Sequence, residues 1–145
     1  MRITARKVGV FACALVLSAA PPETPYSRIS KLAAYLSDGE SVGALEAFDK
    51  SMARYGAIAE KIQALSAQTE VLCSIDVVED KEADNDASDL HHLDLDWYMM
   101  LKSKSDSSLV ERRRQRVAVT LQRFRGVWRI TSLSPEQILA PLTIK

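Results

Sequence analysis

Cysteine is scarce in this sequence: Cys13 and Cys73 are the only two among its 145 residues. Cys13 lies in an N-terminal apolar run, Val8 to Ala20, which is shorter than the roughly 20 apolar residues of a membrane span. If this run is removed during export, Cys73 has no partner in the chain and no intramolecular disulfide can form. The fold must then be held together by an apolar core, which a chain of this size can build.

An excess of charge is also missing. The sequence has 19 basic and 19 acidic residues, and loss of residues 1–20 would remove three bases, leaving 16 basic and 19 acidic residues and a net charge of −3. A chain with this balance has no electrostatic reason to bind nucleic acid or an anionic membrane. We therefore predict that this chain binds no nucleic acid and, after signal cleavage, no membrane. We also predict no cofactor.

The N-terminus has the three-part form of a secretory signal peptide. Arg2, Arg6 and Lys7 precede the apolar run, which ends in the small residues Ser18-Ala19-Ala20. This pattern predicts a signal peptide at residues 1–20 and a secreted or periplasmic protein.

The cleavage point is less sharply defined, because Pro21 disfavours cutting directly before it. We predict a mature N-terminus between Ala19 and Tyr26, the alternative being an uncleaved N-terminal anchor. Residues 21–25, PPETP, are interpreted as a spacer, since proline favours extended backbone and the segment has little to bury.

Apolar residues at helical spacing predict three helices after the spacer. Ser27 or Ser30 is expected to cap the first helix, which ends at Asp38-Gly39. The third helix runs from about Tyr55 to Ala67. The second starts at Ser41 and carries one apolar stripe, namely Val42, Leu45, Phe48 and Met52.

From Val71 onward the apolar period changes to two, which is typical of half-buried antiparallel strands. Four strands are predicted, and Arg125-Gly126 forms a tight turn between the last two. The apolar faces of strands two and three coincide when Leu95 pairs with Val117. The same register sets Leu93 opposite Val119, Asp96 opposite Arg116 and Tyr98 opposite Arg114. We thus expect an α+β fold, with three N-terminal helices packed on a curved four-stranded antiparallel sheet.

Two stretches carry a resemblance to a known family. VAVTLQRFRGVWRITSLSP resembles the last hairpin of secreted bacterial members of the nuclear transport factor two-like (SnoaL-like) superfamily, and LSDGESVGALEAFDKSMARY is similar to its opening helices. The resemblance covers residues 26–142 and implies one cone-like domain. The family includes ketosteroid isomerases, polyketide cyclases, dehydratases and members without chemistry, so the resemblance leaves the function open.

In that family the helices and the concave sheet face enclose a pocket. From Leu93 to Leu101 strand two brings no titratable group to this face, and His91, which has the same parity, is expected at the end of the strand. This favours a non-catalytic domain that binds either a small apolar ligand or a protein partner. The alternative is a ketosteroid-isomerase-like or dehydratase-like enzyme, in which Asp49 and Tyr55 supply the acid and the phenol for proton abstraction. The predicted pocket residues are Phe48, Tyr55, Leu93, Leu95, Trp97, Met99, Gln115, Val117 and Trp128.

The opposite sheet face carries a second set of polar residues. His92, Asp94 and Asp96 alternate along one strand and could reach one metal ion, but each has a cross-strand partner in the predicted register, so we predict no metal site there. The acidic stretch from Glu79 to Asp89 lacks the spacing and the glycine of an EF-hand and is interpreted as a solvated hairpin tip. Around Tyr98 and Met100 this face is predicted to form a homodimer across a two-fold axis, with Asp94, Asp96, Arg114 and Arg116 around them.

Overall fold

A computed structural model describes residues 22–142, so the predicted signal peptide and its cleavage point lie outside the described residues. The helices are α1 (Pro25–Ser37), α2 (Ser41–Leu45) and α3 (Tyr55–Gln68). The strands are β1 (Thr69–Asp80), β2 (Leu90–Ser103), β3 (Val110–Phe124) and β4 (Val127–Ser134), and a 3₁₀ turn follows at Glu136–Leu139. None of the described helices has the length and apolarity that crossing a membrane requires.

The four strands form one antiparallel sheet in the order β1-β2-β3-β4. The predicted register of β2 and β3 is confirmed, since Leu95 pairs with Val117 and Asp96 with Arg116. The predicted turn is confirmed as well: Arg125 and Gly126 have φ of 51° and 83°, the left-handed backbone that a type I′ hairpin requires. The α+β fold class predicted from the sequence is therefore correct.

The helices cover one face of this sheet and form a single core with it. α1 contributes Ile29, Leu32 and Leu36, and α3 contributes Ile58, Ile62 and Leu65. Each of these side chains is at most 1% exposed. They pack on the inward rows of the strands, whose buried members include Leu93, Leu95, Trp97, Met99, Leu101, Val117, Val119, Leu121, Trp128 and Ile130.

Both edges of the sheet are partly closed by hydrogen bonds from the helical half. At the β1 edge, the Ser37 hydroxyl accepts from the Cys73 amide and donates to the Cys73 carbonyl. At the β4 edge, Asp49 donates its amide to the Ile130 carbonyl, and the Ile130 amide donates to Ala47. Such contacts remove backbone groups that could otherwise pair with another chain.

Two helix predictions need correction. α2 ends at Leu45, and the expected stripe does not exist: Val42 is 76% exposed, while Phe48 is buried through a parallel bridge to Ile130. The cap of α1 is Thr24, not Ser27 or Ser30, and Ser27 completes a capping box with it.

The proposed spacer also makes specific contacts. Pro25 is the first residue of α1, and the Glu23 carboxylate accepts the Trp128 amide at 2.8 Å and pairs with Arg28 at 2.9 Å.

The C-terminal segment covers one end of the core face. Arg113, on β3, donates to the carbonyls of Ile138 and Ala140 in this segment.

Candidate functional site

Asp49 and Tyr55, the acid and the phenol of the alternative enzyme hypothesis, lie on different elements: Asp49 follows α2, and Tyr55 begins α3. Asp49 is not on a helix, because the chain leaves α2 at Leu45, and its two carboxylate oxygens accept the amide and the hydroxyl of Ser51 at 3.2 and 2.8 Å. Tyr55 is half-buried at the start of α3. The Asp49 carboxylate therefore closes a local turn.

Most of the predicted pocket residues belong to the core. Seven of the nine are 0–2% exposed, whereas Tyr55 is half-buried and Gln115 is exposed. Trp128 borders a surface depression of about 300 Å³ and Phe48 one of about 340 Å³. The other five buried residues, Leu93, Leu95, Trp97, Met99 and Val117, are 0–1% exposed. The side chains expected to surround a ligand thus fill the concave face themselves.

The row His92, Asp94, Asp96 does not assemble into one site. His92 turns to Glu82, whose carboxylate accepts its amide at 2.6 Å and lies 2.9 Å from its Nδ1. Asp96 pairs with Arg114 at 2.7 Å, one strand away. Within residues 22–142, one group of three side chains places ligand atoms within 4.8 Å of one another, and it consists of Asp80, Glu82 and His91. We call this group the Asp80 triad.

A β-bulge creates the Asp80 triad. The pairing of β1 with β2 shifts between Val77 and Glu79, so that Asp80 lies opposite Leu93 on the inward face, where simple alternation would have put Glu79. The Asp80 side chain is only 4% exposed and that of His91 5%. The acidic stretch predicted to be a solvated tip therefore contains one buried carboxylate, that of Asp80.

Three donors satisfy the Asp80 carboxylate. His91 Nδ1 lies 3.0 and 2.9 Å from its two oxygens, the Glu82 amide donates at 2.9 Å, and the Tyr26 hydroxyl donates from α1. Burial opposes ionisation of Asp80, but these hydrogen bonds outweigh it and hold the pKa of Asp80 below its ordinary value. The same hydrogen bond to Asp80, with burial and the nearby acids, raises the pKa of Tyr26 to about 12.

Aromatic contacts fix the His91 ring from the other side. Its plane meets that of Trp128 edge-on, with centroids 5.2 Å apart and an interplanar angle of 86°. The Arg123 guanidinium lies 5.2 Å from the Trp128 ring centroid. His91, Trp128, Arg123 and Tyr26 all border a depression of about 300 Å³ at this end of the domain. The alternation along β2 predicts that His91 points inward. The inward position of Asp80 cannot be predicted in this way, because it depends on the β-bulge.

The outer face of the sheet differs in character from the packed face. Leu72 and Val110 are 53% and 44% exposed, and Met100 lies half-buried between them on β2. These side chains, with charged neighbours that include Lys102 and Arg112, line a depression of about 380 Å³. The outer face thus exposes apolar side chains to solvent, because the described helices pack on the other face of the sheet.

Comparison with known proteins identifies the fold. No protein-family model and no curated protein matches the sequence. A conserved protein from Planctomyces limnophilus DSM 3776 superimposes with a TM-score of 0.64 at 7% identity, covering 74% of this chain and 88% of that one. Aln2 from a Streptomyces species gives 0.57 at 17% identity, covering 78% and 91%.

A nuclear transport factor 2 (NTF2-like) superfamily protein from Salmonella enterica serovar Typhimurium gives a TM-score of 0.56 at 12% identity. It covers 82% of this chain and 89% of its own. At such identities the similarity establishes the architecture alone, because this fold hosts many activities. The chain has the NTF2-like α+β fold expected from the sequence.

Proposed function

We propose that this chain is an exported, non-catalytic binding domain, and that it binds a second copy of itself through the outer face of the sheet. The observation that carries the proposal is the contrast between the two faces. The inner face is filled by side chains that are 0–2% exposed, whereas the outer face leaves Leu72 and Val110 about half exposed. A protein partner on the outer face would cover apolar surface, whereas a small ligand inside the cone would have to displace the core.

The charges of the outer face support self-association about one particular axis. β3 points Arg112, Arg114 and Arg116 outward, and the acids Asp76 and Asp96 lie across from them on β1 and β2. A two-fold axis parallel to β2 sets β3 of one copy over β1 of the other, so that the basic row of β3 meets the row of β1 that contains Asp76. An axis across the strands would instead stack the arginines of the two copies on each other, which costs free energy.

The parallel axis also pairs specific residues. Asp76, Asp96 and Arg116 share one cross-strand row, so Arg116 of one copy would face Asp76 of the other. Neither Asp76 nor Arg116 makes an ion pair within 4.0 Å among the described residues. Tyr98 and Met100, on the central strand β2, would meet their own counterparts near the axis.

The enzyme alternative has less support. The Asp49 carboxylate is bonded to Ser51, and no titratable side chain of β2 from Leu93 to Leu101 points into the core. A ketosteroid-isomerase-like or dehydratase-like reaction needs a base beside a cavity that admits substrate.

Sedimentation velocity at micromolar concentration tests the proposal. The wild type is expected to sediment as a dimer, and a Leu72→Glu, Met100→Glu variant as a monomer, because both substitutions put carboxylates into the apolar patch. Val42→Glu is the matched control: Val42 is 76% exposed on α2, away from the sheet face, and its variant should remain dimeric. A monomeric wild type, or equal association of all three proteins, contradicts the proposal.

A further inference from the structure

We propose that the Asp80 triad is a binding site for a divalent transition-metal ion of the zinc type. Its ligands would be His91 Nδ1 and one oxygen each from Asp80 and Glu82, which lie within 4.8 Å of one another. One imidazole and two carboxylates form a ligand set that zinc accepts, and the remaining coordination position would hold water. This site differs in position and in residues from the row His92, Asp94, Asp96.

The spacing of two of the ligand atoms, on His91 and Asp80, fits such an ion with a small movement. In a tetrahedral zinc site, bonds of about 2.0–2.2 Å place two ligand atoms about 3.3 Å apart. His91 Nδ1 and Asp80 Oδ2 are 2.9 Å apart, held together by the proton that they share. An ion would replace that proton, which leaves to solvent, and would widen the gap by a few tenths of an ångström.

Two of the three ligand side chains are buried. The side chains of Asp80 and His91 are 4% and 5% exposed, so the ion would lose little affinity to competing water. The Glu82 side chain is 26% exposed and leaves one side of the group open for entry. Six acids and one lysine between Glu79 and Asp89 make the surrounding hairpin attractive to cations.

Outer-shell contacts hold the ligands in place, as metal sites require. His92 fixes the Glu82 carboxylate through its amide and its Nδ1, at 2.6 and 2.9 Å. Trp128 holds the His91 ring edge-on at 5.2 Å. The Glu82 amide donates to Asp80 at 2.9 Å, which fixes the two carboxylates relative to each other.

The nitrogen ligand decides which ions the site prefers. Calcium and magnesium favour oxygen ligands, whereas imidazole suits zinc and cobalt. We therefore expect saturable uptake of Zn²⁺ and Co²⁺ by the metal-stripped chain, and weaker uptake of Ca²⁺. Zn²⁺ affinity is measured by competition with a chromophoric chelator, and Co²⁺ binding by its visible absorption, which reports the ligand set directly.

Four variants separate this site from its alternatives. His91→Gln and Glu82→Gln each remove a ligand and should weaken Zn²⁺ binding by more than tenfold. Loss of the outer-shell contact in His92→Ala should cost about 10–100-fold. An Asp94→Asn, Asp96→Asn variant is the matched control on the outer face and should bind like the wild type.

The Glu82→Gln variant tests metal binding without disturbing the fold, because Glu82 lies in the turn after β1 and outside the apolar core. Circular dichroism of the variant checks that its fold is unchanged. The proposal is overturned if the wild type takes up no Zn²⁺ saturably, or if Glu82→Gln and His91→Gln bind as tightly as it does. Loss of binding in the Asp94→Asn, Asp96→Asn variant alone would assign the ion to the row on the outer face. Ca²⁺ uptake that is independent of His91 would assign it to the acidic hairpin as a whole.

Discussion

Replacing Trp128 with alanine should remove a large share of the stability of this domain. Trp128 is 2% exposed, makes a T-shaped contact with the His91 ring and carries the Arg123 guanidinium over its own ring. Truncation of a buried tryptophan costs about 3–5 kcal/mol. The two lost ring contacts contribute about 0.5–1.5 kcal/mol each, partly counted already in that range. The expected loss is therefore a large share of the roughly 5–15 kcal/mol by which a domain is stabilised.

Urea unfolding followed by circular dichroism measures the loss. With a slope of about 2 kcal/mol per molar for a domain of this size, the midpoint of Trp128→Ala should fall by about 1.5–2.5 M. Val127→Ala is the control: Val127 is the neighbouring residue on β4 and is 36% exposed. Its truncation should change the stability by less than about 0.5 kcal/mol. An unchanged midpoint for Trp128→Ala would refute the assignment of Trp128 to the core.

Three further predictions concern single groups. Burial raises the pKa of the Cys73 thiol to about 12, so iodoacetamide at pH 8 should leave native Cys73 unmodified and alkylate it in urea; rapid native labelling would show an accessible thiolate. The pKa of Asp80 is lower folded than unfolded, so its stabilising effect is present above about pH 4 and is lost as the pH falls through the folded value. The stability gap between wild type and Asp80→Asn, measured with chelator present, should therefore shrink from pH 7 to pH 3, and a constant gap argues against the ionised form. Mass spectrometry of exported material should find the mature N-terminus between Ala19 and Tyr26, and retention of Met1 would contradict export with cleavage.

The strand register could be predicted because two independent patterns agree on it. Alternation fixes which residues of β2 and β3 share the core face, and the same register brings Asp96 opposite Arg116. The turn at Arg125-Gly126 followed from its length and its glycine. These signals come from the strands themselves and from the turn between them.

The Asp80 triad could not be predicted because it depends on the bulge at Val77 and Glu79. One extra residue reverses the inward and outward directions of the chain, and nothing in the residue types of that stretch announces it. The end of α2 was missed for a related reason. The bridge between Phe48 and Ile130 is a long-range contact, and it overrides the helical spacing that continues through Phe48 in the sequence.

Charge reversal across the proposed two-fold axis tests the binding role of the outer sheet face most directly. Asp76→Arg and Arg116→Glu each place like charges opposite one another in a homodimer, so each variant alone should sediment as a monomer. An equimolar mixture should restore the dimer, because the arginine at position 76 of one copy then faces the glutamate at position 116 of the other. Monomers in the mixture, or dimers of either variant alone, would contradict an interface formed by this face.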